Sequence, residues 1–191
     1  MTEDQRALAL GWYGYGRWKA PYWFVGIEPG GDGLDACVRM WNALGRGELL
    51  DIAAHHDENE RDWFGRNVTK THATWQKLIW LLMYYQGREP DAAAVLDYQK
   101  TRLGRANDET ALLEISAIPA VNNGIARPRM LHRDERVTRI QKRLLQHQPE
   151  LVVFYSPDNG RERRYVDAWN AITARHSSAT FPCWLDAPHA S

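Results

Sequence analysis

Cysteine is almost missing from this chain: its 191 residues hold two, Cys37 and Cys183. Two thiols so far apart exclude a disulfide framework, a four-cysteine zinc site and an iron–sulfur cluster, and two buried thiols are the expected reading. Long apolar runs are missing too. The longest, over 78–85, falls well short of the ~20 residues that span a bilayer, so no membrane association is expected. The opening, Met1-Thr-Glu-Asp-Gln-Arg6, carries two acids and lacks the basic start and apolar centre of a secretory signal. The cytoplasm is the expected compartment. Net charge is also lacking, because 24 Lys and Arg balance 24 Asp and Glu, an unusual balance for a protein whose sole task is to grip a nucleic-acid backbone. Paired histidines with metal-ligand spacing are absent. His55 and His56 are adjacent, cannot share a helix face, and read as part of a solvated loop rather than a metal site.

What is present is a chain long enough for a sizeable core, with 44% hydrophobic residues and nine tryptophans. It reads as one domain over 1–191, with a helical elaboration at about 34–104. A strand is expected over 22–25, where Tyr22, Trp23, Phe24 and Val25 have aromatic and β-branched character, and Pro29, Gly30, Gly31 and Gly33 end it. Helical spacing follows over 34–44, stopping near Gly45. The polar stretch 50–66 reads as a loop whose large apolar residues are Trp63 and Phe64. Further helices are expected over 71–85, capped by Thr71 or Thr74, and over 90–103, with Pro90 near its start. A second strand over 112–118, a helix over 131–146 and a third strand over 151–156 follow. That last run is continuously apolar, as in strands that parallel sheets bury on both faces. A helix over 160–175 and a short strand over 181–185 complete the chain. Strands alternating with helices argue for a parallel sheet covered on both faces.

The distribution of charge says more than its sum. From Arg127 to Arg143 seven basic residues face only Asp134 and Glu135, whereas residues 1–63 carry eleven acids and six bases. A basic face on a neutral protein suits a phosphate-bearing partner, although a charge-rich helix is more often a solvated face. Arg161, Arg163 and Arg164 open the expected helix over 160–175, where main-chain N–H groups already favour anions.

Glu28 is the residue on which the chemistry turns. In an open α/β sheet, ligands bind in the crevice beyond the carboxyl ends of the strands, and Glu28 follows directly on the first strand. Its other reading is a carboxylate that caps the next helix or accepts main-chain N–H groups in the turn. The remaining strand ends bring Ser116, Asp158, Asn159, His189 and Ser191. A carboxylate and an imidazole from different strand ends can form an acid/base pair for hydrolysis, without naming the reaction.

Gly26-Ile-Glu-Pro-Gly30 at the end of a hydrophobic strand resembles the first active-site motif of the uracil-DNA glycosylase superfamily, especially the Gly-Ile-Asn-Pro-Gly form of its mismatch-specific uracil/thymine branch. Leu112-Leu-Glu-Ile-Ser-Ala-Ile-Pro119 is similar to that family's second strand, Gln148-Pro-Glu-Leu-Val-Val-Phe154 to its third, and His189-Ala190-Ser191 to its final His-Pro-Ser loop. These segments fall in the family's order along nearly the whole chain. The resemblance implies a three-layer α/β/α fold with a central four-stranded parallel sheet, and hydrolysis of the N-glycosidic bond of uracil or a damaged base flipped out of DNA. It implies catalytic roles for Glu28, beside the attacking water, and His189, beside the departing base. Gly26, Ile27, Pro29, Gly30, Ser116 and Ser191 would contact the substrate, with Ser191 on a phosphate and Ser116 where many members place an Asn that reads the base. Arg127, Arg129, Arg161 and Arg163 would meet the nucleic acid, and Trp63 or Phe64 could stack on the flipped base or simply belong to the core. Single- or double-stranded DNA is the expected partner of a monomer that needs no metal and no cofactor. Two other readings stay open. One is a non-catalytic relative that binds nucleic acid or a nucleotide; the other is an unrelated α/β hydrolase-like enzyme for a small molecule.

Overall fold

The computed structural model of the chain describes residues 1–27, 29, 33–58, 63–65, 67–119 and 132–155. Six helices and five strands lie among them, and each begins where the sequence supplies its cap or turn. Helix α1 (Glu3–Gly11) opens on a capping box: the Thr2 hydroxyl accepts from Gln5 N at 3.2 Å while Gln5 Oε1 accepts from Thr2 N at 2.8 Å. Glu3 and Asp4 in its first turn suit the positive end of the helix dipole. Strand β1 (Gly14–Tyr15) follows, flanked by Gly14 and Gly16 at positive φ, where a side chain would run into the β4 backbone. Then come β2 (Tyr22–Gly26), α2 (Leu34–Ala43), β3 (Leu49–Leu50) and α3 (Ile52–Glu58).

The remaining described elements are α4 (Ala73–Tyr85), α5 (Ala92–Thr101), β4 (Thr110–Glu114), α6 (Arg133–His147) and β5 (Leu151–Phe154). Most expected elements are found with ends shifted by a few residues. Three differences have physical causes. The stretch 50–66 is not a loop throughout, since α3 occupies its first half. Asp51 starts that helix by accepting from Ala53 N and Ala54 N at 3.0 and 3.2 Å, and seven residues are too few to show a helical period. Helix α4 starts at Ala73, and neither Thr71 nor Thr74 caps it: His72 holds the N-cap position without a side-chain bond. Nor is the sheet purely parallel. Its order is β3-β1-β4-β2-β5, with β4, β2 and β5 mutually parallel and β1 antiparallel to β4. The short β1 and β3 form a reversed edge that the alternation of longer strands and helices did not reveal.

Helices cover both faces of this α/β sheet. Phe24, Leu112 and Tyr15 belong to the large apolar cluster that contains Met40 of α2, Ile79 and Leu82 of α4 and Val95 of α5. On the opposite face Trp18 packs edge-on against Trp23, and α6 lays Arg136 and Arg143 over Tyr13 and Trp18. A chain that steps from β2 to β4 on one side and then from β4 to β5 on the other needs helices on opposite faces if both crossovers are right-handed. Strand β5 differs from expectation. It is not buried on both faces, and Phe154 is 39% exposed. Within the described sheet β5 pairs with β2 alone; the helix and strand expected over 160–175 and 181–185 lie outside the described residues. Among the described residues no helix is long and apolar enough to cross a membrane.

Candidate functional site

The three parallel strands meet in the order β4-β2-β5. The connection leaving β2 leads to β4, and the connection leaving β4 passes over β2 to β5. The two sides of β2 are thus reached by successive crossovers, which places a topological switch point at the β2/β5 boundary, where such sheets open a crevice for ligands. The loop that leaves β2 at this point contains Glu28.

Main-chain bonds carry β2 to the rim of that crevice. Tyr155 N donates to Val25 O at 3.0 Å, Ile115 N to Gly26 O at 3.0 Å and Ser116 N to Ile27 O at 2.7 Å. Gly26, Ile27 and Pro29 are buried. Gly26 sits directly on two polar side chains: a Cβ built there would lie 2.7 Å from Glu114 Oε2 and 2.8 Å from the Tyr155 hydroxyl. Glu114 is 6% exposed. Burial, the nearby Glu114 carboxylate and the Tyr15 phenol push the Tyr155 phenol well above its ordinary value, so it stays protonated and donates to Glu114. Neither Glu114 nor Tyr155 figures among the residues expected from the sequence. A signal was present, because an acid inside the apolar run Leu112-Leu-Glu-Ile115 is the kind of buried polar group that asks for a reason.

Tyr15 extends the polar track along the same face of the sheet. Its hydroxyl lies 3.2 Å from His55 Nε2, while His55 Nδ1 lies 3.0 Å from Met40 Sδ. A neutral imidazole with its proton on Nδ1 serves both contacts. His55 stacks edge-on against His56, and His56 packs against Phe64 and Trp75. Trp63 and Phe64, the two candidates for a stacking aromatic, both pack on Trp75. Gln99, fully buried on α5, fixes this corner: its amide N donates to Trp63 O at 3.0 Å and its Oε1 accepts from His72 N at 2.8 Å. Among the described residues no group of histidine, cysteine and carboxylate side chains is arranged to hold a metal ion.

Ser116 is buried at the same edge of the sheet. Its hydroxyl accepts from Ile118 N at 3.1 Å, closing a local turn. The basic face is largely turned inward. Arg136 is 1% exposed and donates to four main-chain carbonyls, those of Ala9, Trp12, Glu114 and Ile115, at 2.7 to 2.8 Å. Its guanidinium lies 4.3 Å from the Tyr13 ring centroid. Arg143 pairs with Glu48 at 2.7 Å, and Arg139 lies 3.9 Å from the same carboxylate. These three cations tie α6 to the N-terminal segment and to the residue before β3; they do not form an open rim. Of the other expected site residues, Glu28, Gly30, His189, Ser191, Arg127, Arg129, Arg161 and Arg163 lie outside the described residues.

Comparison with models of protein families, with curated proteins and with solved structures finds no match to this chain.

Proposed function

We propose that this chain is a DNA base glycosylase with a uracil-DNA glycosylase-like fold, hydrolysing the N-glycosidic bond of uracil or a damaged base flipped out of single- or double-stranded DNA. The observation that carries the reading is the position of the β2 loop: the segment bearing Glu28 leaves the central parallel strand at the β2/β5 switch point, held there by bonds from Ile115 and Ser116. The bond to be cut joins a sugar to a base, and positive charge develops on the sugar as it breaks. A carboxylate at Glu28 stabilises that charge and orients the attacking water, while His189 stabilises the anionic base as it leaves. Gly30, with Gly26, Ile27 and Pro29, shapes the backbone around the sugar, and Ser191 with Arg127, Arg129, Arg161 and Arg163 meets phosphates.

A second reading is a relative that binds nucleic acid or a nucleotide without cutting it. The engagement of the Ser116 hydroxyl with Ile118 favours it, because that hydroxyl is already spent where a base edge would need a donor and an acceptor. Chromatography of the free base after incubation with uracil- and hypoxanthine-containing strands separates the two. Glycosylase activity gives free base in amounts that grow with time. Retention of the strand with no base released supports the binding reading.

A further inference from the structure

The pair beneath Gly26 has no place in the proposed chemistry so far, and packing alone gives no reason for it. Burying an ionised carboxyl against a phenol at a strand end is costly, and well-packed apolar side chains of similar volume are often equally or more stable. Strongly perturbed titratable groups in a crevice at a switch point mark functional sites more often than structural ones. Three elements build this pair. Glu114 ends β4, Tyr155 follows β5, and Gly26 ends β2 between them, with its missing side chain letting the β2 backbone close over both polar groups. Arg136 holds the Glu114 main-chain carbonyl from the other face of the sheet at 2.8 Å, and Tyr15 approaches from β1.

We infer that Glu114, held by Tyr155, gives the floor of the crevice a fixed negative charge, so that the site selects a ligand carrying positive charge over the backbone of Gly26. The inference rests on the glycosylase reading for its choice of ligand. The carboxylate oxygen reaches within 2.7 Å of the position a Gly26 Cβ would occupy, so a group bound against that backbone lies within a few ångströms of the charge, in a site with little water to screen it. Glu114 is here a positioning and specificity residue that acts through the Gly26 backbone.

The test compares two duplexes that differ only in charge at one abasic position: a neutral tetrahydrofuran and a cationic pyrrolidine. The parent protein is expected to prefer the cation. Glu114→Gln is expected to reduce that preference about tenfold, with affinity for the neutral duplex unchanged; loss of a merely structural role would weaken both duplexes alike. Glu28→Gln provides a second measurement that does not depend on the folding of a Glu114 variant. It removes the loop acid, and a several-fold preference for the cation is expected to survive. Loss of all preference in Glu28→Gln, or an undiminished preference in folded Glu114→Gln, overturns the inference. Equal binding of both duplexes by the parent overturns it while leaving DNA recognition standing. Failure of the parent to bind either duplex removes the glycosylase reading itself.

Discussion

Arg136 shows how one residue can reverse the meaning of a charge pattern. In the sequence it is one of seven basic residues suited to a phosphate backbone; in the fold it is sealed in, with four carbonyls from α1, the segment after it and the end of β4 sharing its N–H groups. Burial pulls its pKa down to about 10, so it remains a cation at neutral pH. Arg136→Met leaves those carbonyls unsatisfied and is expected to cost about 3 kcal/mol or more, read from urea midpoints. Arg136→Lys should recover little, because an ammonium cannot copy the planar fork. A loss under about 1 kcal/mol in the Met variant contradicts the clamp. Gly26 invites a second test. Gly26→Ala forces a methyl against Glu114 and Tyr155, and a cost of about 1–3 kcal/mol is expected. The Gly26→Ala/Tyr155→Phe double variant should recover part of it, since the phenol hydroxyl is one of the atoms struck; equal stability of the single and double variants would show that the space is not limited there.

Among the elements, α3 and the corner it builds carry the clearest predictions. Asp51 caps α3 and also accepts from Ala106 N at 3.0 Å, so one side chain joins the helix to the turn before β4. Asp51→Ala is expected to cost about 1–2 kcal/mol by thermal or urea unfolding; a neutral result contradicts the double role. His72, at the start of α4, stacks 4.5 Å from Trp75. Burial holds its pKa below the ordinary value of 6.5. The unfolded chain therefore takes up the proton first as pH falls, so the contribution of a neutral His72 is full above about pH 6.5 and is lost as pH drops toward its folded-state value. His147 acts in the same direction through burial and the charges of Arg143 and Lys19. His72→Phe keeps the ring and removes the proton, and its loss of stability between pH 7 and pH 5 should be smaller than in the parent. An equal loss in both proteins assigns the acid sensitivity elsewhere. The long helices α2, α4, α5 and α6 were legible because ten or more residues display a period. Helix α3 was hidden by its length and polar composition, and α1 and β1 fell in a stretch whose Gly-aromatic alternation, Gly11-Trp-Tyr-Gly-Tyr-Gly16, is strand-like only once β4 lies beside it.

At the scale of the whole molecule, the sheet order concentrates the candidate chemistry at one edge. The strands over 22–25, 112–118 and 151–156 could be read because each is an apolar run closed by turn residues, and their parallel pairing followed from the helices between them. Which strand lies in the middle could not be read, since that depends on which crossover passes over which strand. The site was legible to the same degree. Gly26, Ile27, Pro29 and Ser116 do gather at the carboxyl ends of β2 and β4. Glu114 and Tyr155 were passed over because each looks, in sequence, like a member of a strand, and only the packing of three strand ends against Gly26 sets them beneath the crevice. The central claim is that this edge cleaves a base from DNA. Its most direct test is a strand-cleavage assay after alkali treatment on single- and double-stranded DNA carrying uracil, hypoxanthine or a mismatched thymine, with Glu28→Gln and His189→Ala alongside the parent. We expect alkali-labile sites from at least one substrate with the parent protein, and a loss of about 10²-fold or more in each variant. No cleavage of any substrate, or cleavage that both variants retain in full, contradicts the account.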